Sequence, residues 1–154
     1  MAKTLLIGSS SSIAQSLQEI SDREFISFSR SDGSLDVKGD LSELDDIGEI
    51  NGLVYFPGTI NLKPFSMLKE EDFLNDFEVN VLGAVKVLKK VINNLKAAEG
   101  ASVVFISTVA ANVGLPFHAS VSAAKSGLEG MSKALASEYA TSKICFNVVA
   151  PSLL

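Results

Sequence analysis

The feature that most constrains the fold is a series of short apolar runs, separated by longer stretches with helical spacing. None of the runs alternates cleanly between apolar and polar residues, which is typical of parallel strands covered on both faces. We therefore expect a parallel sheet with helices on each side. The runs are Thr4–Ile7, Glu24–Phe28, Leu53–Phe56, Ser102–Ser107 and Ile144–Val149, with a weaker sixth run at Ser34–Val37 that would be third in chain order.

Two long stretches between these runs have the spacing of helices. In Phe73–Leu95, apolar residues recur every three or four positions, and Ser122–Ala140 carries small residues that permit close packing against another helix. Shorter helices are predicted at Ile13–Glu19 and at Ser42–Ile47, where Ser42 would be the N-cap.

The repeated order of strand, helix and strand requires right-handed crossovers. The sequence therefore predicts a doubly wound α/β fold of three layers, forming a single domain over residues 1–154. A content of 47% hydrophobic and 20% charged residues suits a globular core of this size.

Charge and residue counts bear on the partners of the chain. With a net charge of −5, the surface as a whole repels nucleic acid and anionic lipid, so we expect neither as a partner. One histidine and one cysteine do not make a metal cluster, so no metal is expected. The cysteine, Cys145, lies in the last apolar run, where we expect it to be buried in a protein of the reducing cytoplasm.

The first apolar run leads into a turn suited to phosphate binding. Gly8 follows the run and permits a tight turn, and the tract Ser9–Ser12 precedes a predicted helix. Backbone amides at a helix N-terminus attract phosphate, and serine hydroxyls add further donors. A serine-capped helix without any ligand is the other interpretation of this segment.

The same segment resembles the glycine-rich turn of the short-chain dehydrogenase/reductase family, Gly-x-x-x-Gly-x-Gly. Gly8 is retained, whereas Ser12 and Ala14 stand at the second and third glycine positions. The resemblance implies a Rossmann-type dinucleotide-binding domain. The residues it places at the pyrophosphate are Gly8, Ser10, Ser11, Ser12 and Ile13.

The resemblance extends from Thr4 to Ser152, and it also implies which dinucleotide is bound. Arg30 follows the second apolar run, where family members that prefer NADP carry a basic residue for the 2′-phosphate. NADP is therefore expected in preference to NAD. Asp40–Leu41 resembles the pair that holds the adenine ring in this family. Asp36–Val37 is the second candidate, since only the first pair is followed at once by a helix-start pattern.

Residues of a reaction site follow from the same resemblance. Gly58 is the remnant of the family's Asn-Asn-Ala-Gly segment, and Asn80 matches a helix asparagine that anchors a proton-relay water. Thr108 stands at the catalytic serine position, and Lys125 at the lysine that binds the nicotinamide ribose. Val121 occupies the position of the catalytic tyrosine, so the family's usual proton donor is missing.

His118 is a candidate replacement for that donor, because it lies three residues before Val121 and imidazole exchanges protons near neutral pH. A purely structural histidine is the alternative. The leading interpretation is an NADP-dependent oxidoreductase acting on an alcohol or carbonyl, with Thr108, Lys125, Asn80 and His118 as its catalytic residues. The competing interpretation is a catalytically silent family member that binds a nucleotide or a protein partner.

The stretch Asn147–Ser152 resembles the family's Asn-x-Val-x-Pro-Gly segment, with serine in place of glycine. Family members continue from there with a substrate loop and a last strand. We therefore expect a chain truncated relative to them, either a fragment or a short relative. The resemblance also implies a homodimer or homotetramer built through Phe73–Leu95 and Ser122–Ala140.

Overall fold

The computed structural model describes residues 3–152 and confirms the α/β class. Five strands form one sheet: β1 (Lys3–Ile7), β2 (Glu24–Phe28), β3 (Ile50–Tyr55), β4 (Ala101–Ile106) and β5 (Ile144–Val149). They lie in the order β2-β1-β3-β4-β5, and every neighbouring pair is parallel. The chain changes direction across the sheet between β2 and β3, which is where folds of this kind bind ligands.

The helices are α1 (Ser12–Ile20), α2 (Glu70–Phe77), α3 (Gly83–Ala97), α4 (Ala110–Val113) and α5 (Ala119–Glu138). A π-helical turn, Glu78–Leu82, joins α2 to α3, and single 3-10 turns cover Ser42–Leu44, Phe65–Met67 and Ala140–Ser142. Helix α3 contacts β3, and α5 contacts β4 and β5. Within the described residues, no helix is both long enough and apolar enough to cross a membrane.

The strand register aligns the carboxyl ends of three strands. Tyr55 of β3 pairs with Ile7 of β1 on one side and with Phe105 of β4 on the other. The segments that follow these residues therefore leave the sheet at the same edge. This is why Gly8, Gly58 and Thr108, which are distant in sequence, can belong to one site.

The core lies between the sheet and helices α3 and α5. Val87, Val91 and Leu95 repeat every four residues along α3 and are completely buried, as is Leu128 of α5. Removing each such side chain from water contributes about 1.5–3 kcal/mol. This packing fixes α5 against the sheet, and Lys125 extends from α5 one turn before Leu128.

The weaker predicted strand, Ser34–Val37, is not formed. Gly33 adopts a φ of +76°, and the amide of Gly39 closes another turn, so no extended stretch is left that is long enough to pair. Leu35 and Val37 are nevertheless buried in the core. Their hydrophobicity reflects a loop that packs on the core rather than a strand.

The predicted long helix, Phe73–Leu95, is interrupted by the π-helical turn Glu78–Leu82. At this turn the side-chain amide of Asn80 donates a hydrogen bond to the backbone carbonyl of Asp76 (2.8 Å). The carbonyl of Asp76 thus accepts from the side chain of the residue four positions later, Asn80. Single π-helical turns of this kind are frequent at functional sites.

The predicted helix Ser42–Ile47 is reduced to one 3-10 turn, Ser42–Leu44. Ser42 is its first residue rather than its N-cap, and Leu41 occupies the cap position with a φ of 61°. Asp45 and Asp46 follow the turn, and negative charge at a helix C-terminus disfavours its continuation.

Cys145 is exposed, so the expectation that it is buried was wrong. Residues of β5 alternate, with Ile144 and Phe146 buried and Cys145 and Asn147 exposed. The buried residues face α5, which contacts β5. Among the described residues, no helix packs on the opposite face of this edge strand. The sequence of β5 does not alternate between apolar and polar residues, so it did not indicate that one face is exposed.

Candidate cofactor and active site

A cavity of about 390 Å³ opens at the carboxyl edge of the sheet. It lies between the turns that follow β1, β2 and β3, and its volume falls in the usual range for small-molecule sites. Five predicted site residues line it: Gly8, Ser10, Ser11, Arg30 and Gly58. The other lining residues are Ile7, Ser29, Ser31, Leu35, Asp36, Val37, Lys38, Phe56, Pro57, Thr59, Asn75 and Val79.

The turn after β1 requires glycine at position 8. Gly8 has a φ of +82°, and its amide donates to the carbonyl of Phe28 at the end of β2 (2.8 Å). A Cβ atom at this position would lie 3.1 Å from both Phe56 Cβ and Pro57 Cδ. The turn therefore depends on glycine twice, for its conformation and for the close approach of the segment after β3.

Ser11 is the N-cap of α1, and its hydroxyl oxygen accepts a hydrogen bond from the amide of Ala14 (3.1 Å). Ser12 is exposed and does not line the cavity, while Ile13 lines a separate groove together with Leu17. The side chains of Ser12 and Ile13 thus do not line the cavity. Their backbone amides belong to the first helical turn, which has no intrahelical acceptors, and are left as donors for a phosphate.

Four hydroxyl and guanidinium side chains gather where β1 and β2 end. The Ser29 hydroxyl donates to Ser10 Oγ (2.8 Å) and lies 2.7 Å from Ser31 Oγ. Arg30, between them in sequence, is exposed at the cavity wall. None of the ion pairs among the described residues involves Arg30. This end of the cavity is rich in donors and carries a positive charge.

The structure separates the two candidates for the adenine pair. Asp36 and Val37 line the cavity, whereas Asp40 and Leu41 do not. Asp40 accepts hydrogen bonds from the backbone amide and the hydroxyl of Ser42, which lower the pKa of its carboxyl. The helix-start pattern that favoured Asp40 in the sequence reflects this local cap, and Leu41 is packed in the core.

Three predicted site residues meet at the other end of the cavity. A Cβ atom added to Gly58 would lie 3.1 Å from Asn80 Oδ1 and 3.3 Å from Lys125 Nζ. Lys125 is buried (7% exposed), and its ammonium donates to the backbone carbonyl of Ile106 (2.7 Å). Burial lowers the pKa of Lys125 to about 8, because the charged form loses its hydration.

Two residues beside Asn80 were missed in the sequence. Asn80 donates to Thr59 Oγ1 (3.0 Å), and Thr59 is hydrogen-bonded to the buried carboxyl of Asp76. The sequence did contain a signal for Asp76. It lies four residues before Asn80 on the predicted helix Phe73–Leu95, so both polar residues fall on one helix face together with apolar ones. Thr59 follows Gly58 in a loop and has no comparable signal.

Thr108 follows β4 and is half-buried. Its Oγ1 accepts a hydrogen bond from the amide of Ala110 (3.3 Å), which leaves the hydroxyl hydrogen for another acceptor. The neighbouring Ser107 is buried, and its hydroxyl is bound to the carboxylate of Glu129 on α5. Of the two hydroxyls, that of Thr108 is therefore the more available to a substrate.

Neither His118 nor Tyr55 is a direct substitute at the tyrosine position. Val121 is buried one helical turn before Lys125. His118 lines a different surface groove from the one that contains Gly58, and its Nδ1 lies 2.7 Å from the carbonyl oxygen of Pro116. Tyr55 is buried, its hydroxyl donates to a backbone carbonyl (2.6 Å), and burial raises its pKa.

Comparison with known proteins agrees with this architecture. A family model described as short chain dehydrogenase matches residues 9–154, so the chain belongs to the short-chain dehydrogenase family. It is 32% identical over 120 residues to human 3-oxoacyl-[acyl-carrier-protein] reductase, covering 77% of this chain and 51% of that protein. It is 29% identical over 110 residues to carbonyl reductase family member 4 of Xenopus laevis, covering 71% and 47%. The chain spans about half the length of these curated relatives.

Solved structures share the fold at lower sequence identity. The protein lin1944 from Listeria innocua superposes with a TM-score of 0.86 at 20% identity, covering 100% of this chain and 79% of that one. A short chain dehydrogenase from Burkholderia cenocepacia J2315, solved in complex with NADP, gives a TM-score of 0.86 at 19% identity and covers 99% and 72%. These likenesses establish the fold.

Proposed function

We propose that this protein is an NADP-dependent oxidoreductase that interconverts an alcohol and a carbonyl compound. The observation that carries the proposal is the cavity itself. It runs from Arg30 past the Gly8 turn to Gly58, where Asn80 and Lys125 converge. A donor-rich, positive end and a buried lysine at the opposite end suit a dinucleotide that bears phosphates at one end and a reactive ring at the other.

The residues present fit such a cofactor. The Gly8 turn, the hydroxyls of Ser10 and Ser11 and the first amides of α1 would hold the pyrophosphate. Arg30 would pair with the 2′-phosphate, supported by the serine hydroxyls around it. For the adenine ring we now favour Asp36–Val37 over Asp40–Leu41, because the first pair lines the cavity.

At the reaction end, Lys125 would bind the nicotinamide ribose beside Gly58 and Asn80. Thr108 would direct its free hydroxyl hydrogen to the substrate oxygen. When bound, the nicotinamide supplies or accepts a hydride, and the protein orients the substrate and manages its proton. His118 remains a weaker candidate for the proton donor, since it lines another groove.

A second function has one observation in its favour. Val121 is a buried apolar side chain where the family's tyrosine would stand. A chain without any proton donor would bind nucleotide and act as a catalytically silent scaffold. The relatives are named as 3-oxoacyl-[acyl-carrier-protein] and carbonyl reductases, and this supports carbonyl reduction as the leading proposal.

Cofactor binding is tested by titrating the protein with NADPH and NADH and following the fluorescence of the reduced nicotinamide. We expect saturable binding that prefers NADPH. Replacing Arg30 with alanine should weaken NADPH binding by about 10- to 100-fold, since hydrogen bonds to charged groups contribute about 1.5–3 kcal/mol, and should leave NADH binding nearly unchanged.

The matched control is Arg23→Ala, which removes the same side chain from a position that contacts Thr4 and Asn51 instead of the cavity. Arg23→Ala should leave both affinities unchanged. Absence of NADPH binding to the folded protein would exclude the oxidoreductase, and equal effects of the two arginine substitutions would exclude the assigned 2′-phosphate contact.

We also infer self-association in the cytoplasm, as a homodimer or homotetramer. Leu74, Phe77 and Leu82 are exposed on α2 and the π-helical turn beside α5, and exposed apolar side chains of this size suit a contact between subunits. The ring of Phe77 lies close to Gly127 of α5, so both helices would contribute to that contact.

A further inference from the structure

Asp76 is an unusual residue in this site. It is completely buried (0% exposed), and its Oδ1 is hydrogen-bonded to Thr59 Oγ1. Its Oδ2 has no hydrogen-bond partner among the described residues. A buried carboxyl that serves only structure is normally saturated with donors, because an unsatisfied buried charge is costly. The position of Asp76 therefore calls for a functional reason.

The hydrogen bonds around Thr59 have a defined direction. The Asn80 amide nitrogen is a donor only, so Thr59 Oγ1 accepts at 3.0 Å. The single hydroxyl hydrogen of Thr59 is then directed to Asp76 Oδ1. The same amide of Asn80 donates to the backbone carbonyl of Asp76 (2.8 Å), which holds the three side chains in one arrangement.

Thr59 connects this buried group to the cavity. It lines the cavity next to Gly58, at the end where Asn80 and Lys125 converge. One lone pair of its hydroxyl remains after the bonds to Asn80 and Asp76 are made. The site thus contains a hydroxyl at the cavity wall with a carboxyl behind it, while Val121 leaves the tyrosine position without one.

We propose that the Thr59 hydroxyl is the proton-transfer group of this site and that Asp76 is the positioning residue that exchanges the proton with it. The inference rests on the proposed function. In alcohol oxidation, the substrate hydroxyl proton passes to Thr59 Oγ1 as Thr59 passes its own hydrogen to Asp76 Oδ1. The hydride leaving the same carbon goes to the oxidised nicotinamide. Carbonyl reduction is the reverse. After the alcohol has left, a water molecule in the cavity gives a proton to Thr59 Oγ1 as Thr59 passes its own hydrogen back to Asp76 Oδ1.

The test compares Thr59→Val, Thr59→Ser and Asp76→Asn with the wild-type protein. Thr59→Val keeps the shape and removes the hydroxyl, and it should lower kcat by about 10²-fold or more, the usual contribution of a positioned acid or base. Thr59→Ser should restore most of the rate. Asp76→Asn should lower kcat without raising KM. The probes are NADPH with ethyl acetoacetate and with benzaldehyde. Thr141→Val, an exposed threonine beside β5, is the control.

A readout without turnover accompanies these rates. The hydroxyl proton held between Thr59 and a buried carboxyl should resonate downfield in NMR spectra, and recording them at low temperature slows its exchange with water in the cavity so that the signal is resolved. The signal should be absent in Thr59→Val and shifted in Asp76→Asn, with native chemical shifts elsewhere. Its absence in the wild-type protein would overturn the proposal.

Activity results distinguish this proposal from the proposed function. If the wild-type protein does not bind NADPH, the proposed function fails, and Thr59 cannot have the role assigned here. If it binds NADPH but reduces neither probe, the Thr59–Asp76 pair does not compensate for Val121, and this inference is overturned while the cofactor-binding part of the proposed function stands. Full activity of Thr59→Val would overturn it in the same way.

Discussion

The two ends of the cavity are built from different parts of the chain. At the end proposed to bind the phosphates (the phosphate end), the shape comes from the backbone, through the positive φ of Gly8 and the close approach of Phe56 and Pro57. At the end proposed to carry the reaction (the reaction end), the functional groups are side chains, namely Asn80, Lys125 and the residues around them. A binding site formed by backbone groups keeps its shape when many side chains are replaced. A site formed by side chains can lose its chemistry through a single replacement.

The sequence shows the consequence of this difference. Ser12 stands where the resemblance places a glycine, but it is exposed and does not line the cavity, and the turn at Gly8 is retained. At the reaction end, the resemblance places Val121 where the family has its catalytic tyrosine, a proton donor that no backbone group can supply. We therefore expect cofactor binding to be robust and the reaction to depend on individual residues.

The largest effect is expected from a substitution that restores the missing proton donor. In a Thr59→Val background, Val121→Tyr should raise the rate of carbonyl reduction with NADPH by about 10²- to 10⁴-fold, the range for a well-placed general acid. Val121 is one helical turn from Lys125, so a tyrosine there would lie on the same side of α5. Initial rates with ethyl acetoacetate measure the effect.

Val121→Phe in the same background is the matched control, because it adds the ring without the hydroxyl. Both substitutions enlarge a buried side chain and should cost about 1–3 kcal/mol of stability, which thermal unfolding monitors. Equal rates for the two variants would show that the reaction end lacks more than a hydroxyl. The two ends of the cavity would then differ by more than the residue at position 121.

What the sequence could predict follows the same division. The five strands were predicted from apolar runs and the tight turn after β1 from Gly8, because both depend on local chain properties. The placement of Asp36 rather than Asp40 at the cavity depends on how a loop folds over the sheet. No local pattern records that, and the helix-start signal pointed to Asp40, which does not line the cavity.

Side-chain networks between distant segments were the least predictable part. The bond between Thr59 and Asp76 joins the loop after β3 to α2, and only the tertiary fold brings them together. His118 lies three residues before Val121 in the sequence, but in the structure it lines another groove. Cys145 was misjudged because an edge strand can be covered on one face only.

The next effect concerns the stability of the reaction end. Burial lowers the pKa of Lys125 to about 8 from a value of 10.5 in the unfolded chain. Below pH 8 the lysine is charged in both states, and its burial destabilises the fold. This penalty is relieved as the pH rises from 8 to 10.5, because the unfolded chain then binds more protons than the native one. The free energy of unfolding should therefore rise by up to about 3 kcal/mol from this residue.

Lys125→Met keeps the length of the side chain and removes its charge. At pH 7 it should raise the free energy of unfolding in urea relative to wild type, and the difference should shrink as the pH approaches 10.5. Lys133→Met, at an exposed position on the same helix, should show neither effect. A difference that is constant with pH would mean that Lys125 is better solvated than its burial indicates.

The smallest effect tests the backbone end directly. Gly8→Ala and Gly48→Ala introduce the same strain, since the two glycines have φ values of +82° and +73°. Each should cost on the order of 1 kcal/mol of stability. At Gly8 the new Cβ meets Phe56 and Pro57 at 3.1 Å, whereas at Gly48 no described residue lies within 4 Å. Gly8→Ala should therefore also weaken NADPH binding by about tenfold, or 1.4 kcal/mol. Fluorescence titration of both variants measures this difference. If Gly8→Ala bound NADPH as tightly as Gly48→Ala does, the phosphate end would not depend on the shape of this turn.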